Sequence, residues 1–140
     1  MEQIRRELTI DAAEENLAVV QEFVEDIIAA TDCPMKTQML IGVAVEEIFI
    51  NIASYAYTPK IGKVEITAEL QETPPALVLT FRDSGIPYDP VAKEDPNLHI
   101  PVEERELGGL GIYMTKQFMD EVLYEYREGN NILTLKKFLI

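Results

Sequence analysis

Glu47 and Asn51 stand four residues apart in a stretch that is otherwise almost wholly apolar between Met39 and Ser54. On a helix, that spacing projects both side chains from one side, one turn apart. A carboxylate in such a place can take a proton from an attacking hydroxyl or water. An amide oxygen can ligate a hard cation such as Mg²⁺. Helices also carry Glu and Asn at this spacing by chance, so the pair gains meaning only in company. Glu46, about 100° round the same helix, reads as a partly exposed neighbour or a partner of a basic residue.

Two further clusters supply that company. Asp83-Ser84-Gly85 closes a strand-like run. An Asp there can accept a hydrogen bond from an exocyclic amine, and Gly85 lets a flat ring approach the backbone; a plain turn uses the same residues. Gly108-Gly109-Leu110-Gly111 precedes a helical pattern. Glycine amides at a helix N-terminus form an anion site, although a short glycine run also serves as a hinge. No Gly-Lys-Ser/Thr follows it, so this is not a Walker loop, and the Rossmann spacing is absent.

The elements that must position these groups are legible in outline. Residues 4–10 read as a short strand. Asp11 with Glu14 has the spacing of a capping box opening an amphipathic helix to about Ala30, with Leu17, Val20, Val24, Ile27 and Ile28 on its apolar face. Pro34 suits the first turn of a second helix, which runs from about 35 to 57. Val64, Ile66, Ala68 and Leu70 alternate with polar residues as a half-buried strand, as do Leu77, Leu79 and Phe81 after the Thr73-Pro74-Pro75 turn. Residues 84–107 read as a long loop, a length that in compact domains is usually functional. A third helix runs from the glycine cluster to about Asp120. Strands at 122–126 and 132–136 flank a hairpin turn at Gly129-Asn130-Asn131. Strands joined by tight turns, with helices between, predict an α+β two-layer sandwich: a mostly antiparallel sheet with helices on one face.

Composition narrows the class. A chain of 140 residues, 47% hydrophobic and 26% charged, fits one globular domain over 1–140. Its single cysteine, Cys33, permits no internal disulfide, and no cysteine–histidine cluster suits zinc. The formal net charge of −13 opposes direct binding of nucleic acid; it is compatible with docking a basic protein and equally with plain solubility, because charge alone names no partner. With no secretory leader and no apolar run read as membrane length, the expectation is a cytoplasmic protein without a membrane.

In order and setting, these motifs resemble the GHKL (Bergerat) ATP-binding fold. Within it, the chain is most similar to the bacterial anti-sigma-factor serine/threonine kinases of the stress-response and sporulation type. The likeness rests on Glu46-Glu47 through Asn51 to Tyr57, on Asp83-Ser84-Gly85-Ile86-Pro87, and on Gly108-Gly109-Leu110-Gly111-Ile112-Tyr113 with Met119-Asp120-Glu121-Val122. The resemblance implies ATP and Mg²⁺ as cofactors. It implies Glu47 as the general base, Asn51 as the Mg²⁺ ligand, and Asp83 as the acceptor of the adenine amine with Gly85 beneath the ring. Gly108, Gly109, Leu110 and Gly111 then wrap the phosphates, and residues 84–107 form the ATP lid. Arg105 in that lid is placed to meet the γ-phosphate or to stay solvated. Tyr55 stands where many relatives carry histidine, and is expected to lie off the Glu47–Asn51 face. His99 in the lid is read as a surface residue.

The partners implied are an anti-anti-sigma antagonist carrying the acceptor serine, a sigma factor, and a second copy in a homodimer. The competing function is a non-catalytic ATP-binding module that sequesters a sigma factor or another regulator. Glu47 is the residue that separates the two.

Overall fold

The computed structural model describes residues 4–57, 60–90 and 109–140 of the chain. Its elements are β1 (Arg5–Asp11), α1 (Leu17–Ile28), α2 (Met35–Asn51), β2 (Lys63–Glu72), β3 (Pro75–Asp83), α3 (Gly109–Phe118), β4 (Glu121–Arg127) and β5 (Asn130–Phe138). A single 3₁₀ turn, Glu14–Asn16, precedes α1, and a π-helical turn, Ile52–Ala56, continues α2.

The strands form one sheet in the order β1-β2-β3-β5-β4, antiparallel throughout. Register explains which face is buried. Ile66 pairs with Phe81 and Ala68 with Leu79, and these in turn meet Leu133 and Leu135 on β5. Because side chains alternate across a strand, this row falls on one face. The opposite face carries Glu65 against Arg82, Thr67 against Thr80, and Thr80 against Thr134, a polar surface. Val20, Val24 and Ile28 of α1, with Ile41, Val45, Ile48 and Phe49 of α2, close over the apolar row in one cluster. Phe49 and Phe81 are each at most 1% exposed; burying a side chain of this kind contributes about 1.5–3 kcal/mol. The expected α+β sandwich is therefore the fold.

Several local expectations change. Asp11 does not cap a helix: it ends β1, opposite Lys63, whose Nζ lies 2.6 Å from its carboxylate. The chain then turns through Glu14–Asn16, and α1 begins at Leu17 with no side-chain cap. The Asp11–Glu14 spacing was overridden by strand pairing, which extends β1 through the expected cap position. Pro34 is the N-cap of α2, with ψ 147°, instead of a first-turn residue. The hairpin turn is Glu128-Gly129, the two residues with positive φ (52° and 80°), so Asn130 and Asn131 belong to β5. That is the two-residue connection whose twist suits antiparallel strands.

One expectation about membranes also needs correction. The continuous helix Met35–Ala56 is 22 residues long with a mean hydropathy of 1.5, long and apolar enough by length and composition to cross a bilayer. In the fold its Ile41, Ala44, Val45, Ile48 and Phe49 side chains are spent on the core. A helix apolar round most of its circumference is also what burial between a sheet and neighbouring helices requires.

Candidate nucleotide site

Asp83 is the last residue of β3 and only 6% exposed. Its Oδ1 accepts the backbone N–H of Gly85 at 2.9 Å, an Asx turn that folds the chain back as the strand ends. The same oxygen accepts Asn131 Nδ2 at 3.0 Å from the facing position of β5. The backbone just beyond is held by Tyr57. Its hydroxyl donates to the Lys63 carbonyl at 2.6 Å and accepts the Ser84 N–H at 2.8 Å.

The end of the long helix shapes the other wall. The last carbonyls of a helix lack intrahelical partners, and here the Ala56 carbonyl, at the end of the π turn, accepts Ile86 N–H at 2.9 Å. A Cβ on Gly85 would lie 2.2 Å from that oxygen. Gly85 is therefore required by the approach of its own backbone to the helix end, a reason independent of any ligand. The π turn belongs to a class of helix irregularity frequent at functional sites.

Between these walls lies a shallow cleft, open to solvent. Ile48, Ile52, Ile86 and Leu133 give it apolar sides, while Asn51 and Asp83 supply polar groups. A mostly apolar slot with a few fixed polar groups suits a planar heteroaromatic ligand. Tyr55 also lines this cleft. The expectation that it lies off the Glu47–Asn51 face fails because it follows Asn51 by four residues, so the helix brings it round to the same side.

Glu47 is not in that cleft. It borders a second groove, lined also by Glu14, Glu15 and Glu46. Burial raises the pKa of its carboxyl above the ordinary 4.5, and the neighbouring charge of Glu46 adds to the effect. The carboxylate packs against α3: a Cβ on Gly111 would lie 1.9 Å from Glu47 Oε2. Gly111 and Gly109 are themselves helical, within the first turn of α3 and not in a loop before it. Thr115, 1% exposed, donates its hydroxyl to the Gly111 carbonyl at 3.0 Å and ties that turn down.

Asn51 and Asp83 thus share one cleft, while Glu47 and Gly111 meet beside it. Gly108, Arg105, His99 and the lid beyond Pro90 lie outside the described residues. Among the described residues, no group of three or more His, Cys, Asp or Glu side chains could hold a metal. Mg²⁺ prefers water and phosphate oxygens with one or two protein ligands, and the single amide oxygen of Asn51 fits that habit. Sequence reading missed Asn131, Tyr124 and Tyr57. Asn131 has the type of a turn residue, and only the strand register puts it opposite Asp83.

Residues 10–137 match the family described as the histidine kinase-like ATPase domain. The chain belongs to that family. Among curated members it is 33% identical over 90 residues to the serine/threonine-protein kinase BtrW of Bordetella bronchiseptica, covering 64% of this chain and 63% of that one. It is 30% identical over 98 residues to a serine-protein kinase RsbW of Bacillus cereus, covering 67% of this chain and 60% of the relative. A longer alignment, 26% over 134 residues, covers 93% of this chain and 82% of RsbW from another Bacillus cereus strain. The first two matches thus span less than two thirds of their relatives' length. In structure, the domain superposes on the RsbU and RsbW domains of a Mycobacterium tuberculosis protein with TM-score 0.70 at 16% identity, over 97% of this chain and 32% of that one. The histidine kinase domain of the Erythrobacter litoralis blue-light-activated kinase gives TM-score 0.55 at 17% identity, over 90% and 60%. These two likenesses carry the ATPase-domain fold.

Proposed function

We propose that this domain binds ATP with Mg²⁺ in the Asn51–Asp83 cleft and acts as a serine/threonine protein kinase and anti-sigma factor. The observation that carries the reading is the pairing of two sites on one helix. Asn51 enters the cleft that holds Asp83, and Glu47, one turn earlier, leans on the first turn of α3. In this reading Asp83 accepts the adenine amine, and the helix-start amides of α3 at Gly109, Leu110 and Gly111 face the phosphates. Mg²⁺ on Asn51 would neutralise triphosphate charge.

The acceptor serine sits on an anti-anti-sigma antagonist. Its hydroxyl oxygen attacks the γ-phosphorus while its proton passes to the Glu47 carboxylate. The bond from the γ-phosphorus to the β–γ bridging oxygen breaks, and ADP leaves with the electron pair. Positioning and charge neutralisation supply most of the acceleration in such transfers. The raised pKa of Glu47 makes it a stronger base while leaving it ionised once the pH exceeds that value. The kinase reading is supported by the likeness to the protein kinases RsbW and BtrW; sequestration of a sigma factor, assembly as a homodimer and residence in the cytoplasm are proposed with it.

The test is transfer of label from [γ-³²P]ATP to a serine of an anti-anti-sigma antagonist protein. Label that appears with the wild type and disappears with Glu47→Ala supports the kinase. Undiminished label in Glu47→Ala refutes Glu47 as base. ATP-dependent capture of a sigma factor with no label on any antagonist would instead favour the non-catalytic module.

A further inference from the structure

Asn131 makes four hydrogen bonds, all inward. Its Nδ2 donates to Asp83 Oδ1 at 3.0 Å and to the Ile86 carbonyl at 2.9 Å. Its Oδ1 accepts the Tyr88 N–H at 3.2 Å and the Tyr124 hydroxyl. The two backbone partners settle which end of the amide is which, because a carbonyl can only accept and an N–H can only donate. An asparagine amide has two N–H donors and two lone pairs, so this side chain is fully used. With 6% of its surface exposed, it has no group left to offer a ligand. Any effect on the cleft must pass through what it holds.

What it holds is specific. Asp83 receives both the Gly85 and the Asn131 bond on Oδ1. Two donors on one oxygen set the rotation of the carboxylate and leave Oδ2 to the ligand. The other partners fix backbone at Ile86 and Tyr88, two residues that line the cleft. Tyr124, reaching from β4, holds the amide oxygen and so keeps Asn131 from turning.

We propose that Asn131, held by Tyr124, is the positioning residue for base recognition: it aims Asp83 at the exocyclic amine of the purine and fixes the 86–88 backbone beside it. This rests on the reading of the cleft as an ATP site. A site built to hydrogen-bond one group discriminates against analogues lacking it, provided its own partner is rigidly oriented.

The experiment compares two ligands, ATP and purine riboside triphosphate, which lacks only the 6-amino group. Affinities are measured by titration calorimetry with Mg²⁺ for the wild type, Asn131→Ala and Tyr124→Phe. The wild type should prefer ATP. Asn131→Ala should reduce that preference about tenfold, with the affinity for the amine-free analogue nearly unchanged. Tyr124→Phe, which removes one hydroxyl at a half-buried position, should reduce it about threefold and serves as the deciding variant if Asn131→Ala does not fold. A purely architectural role would weaken both ligands equally and leave the ratio unmoved, which overturns the inference alone. A wild type that binds both ligands without distinguishing them likewise overturns this inference alone, whereas one that binds neither overturns the ATP reading and this inference with it.

Discussion

Replacing Gly111 by alanine sets two effects of opposite sign against each other. Gly111 lies in the first turn of α3, where alanine is favoured over glycine by about 0.8–1 kcal/mol. The added Cβ, however, would stand 1.9 Å from Glu47 Oε2 and 2.6 Å from its Cδ. Ordinary contact begins near 3.4 Å, so the carboxylate must retreat by about 1.5 Å. The obstruction is the far end of a flexible side chain, and shifting it costs about 0.5–1.5 kcal/mol in rotamer strain. The two terms nearly cancel, so the melting temperature of Gly111→Ala should stay within a few degrees of wild type. Catalysis should not be spared. A base displaced by more than about 1 Å from its working position loses on the order of a hundredfold in rate. Thermal melts, titration with a fluorescent ATP analogue and single-turnover phosphotransfer separate the three quantities. A Gly111→Ala protein that transfers phosphate at the wild-type rate refutes the assignment of Glu47 as base in the position described.

Glu47→Gln should lower transfer by about 10²–10⁴-fold while ATP binding persists, checked by the same transfer and binding assays. The sign of its effect on stability follows from linkage. A carboxyl whose pKa is raised on folding binds more protons in the folded state, so stability falls as the pH climbs from its unfolded value, near 4.5, through the raised one. Glu47→Gln should therefore melt higher than wild type at pH 7, with the gap closing below about pH 4; a lower melting temperature at pH 7 counts against that account. Gly85→Ala meets the Ala56 carbonyl oxygen at 2.2 Å and its carbon at 2.6 Å, backbone that cannot swing aside. It should lose about 1–3 kcal/mol in urea titration and weaken ATP binding as well. Phe81→Ala, at a position 1% exposed in the central strand, should cost about 3–5 kcal/mol in the same titration.

Much of this protein could be read along the chain because the signals are local. Alternation at Val64 to Leu70 and at Leu77 to Phe81 gave two strands, and the helical spacing from Leu17 to Ile28 gave α1. Glu47 and Asn51 stood out because charge and amide are costly on a helix otherwise spent on the core. Where two local signals competed, reading along the chain erred. Asp11 has the type of a helix cap, yet its pairing with Lys63 keeps it in the sheet. Asn131 has the type of a turn residue, yet the Glu128-Gly129 turn moves it into β5.

The site itself depended on distance in space and not in sequence. Asp83 and Asn131 are separated by 48 residues, and their hydrogen bond exists because β3 and β5 run side by side in one register. Glu47 and Gly111 meet only because α3 crosses α2, and Gly85 is constrained by a helix end that no pattern near it announces. Residue types and spacing along the chain determined which groups are capable of the chemistry. Packing, which acts between segments remote in sequence, decided which of them face the same cleft, which oxygen of Asp83 is already engaged, and how far Glu47 is shielded from water.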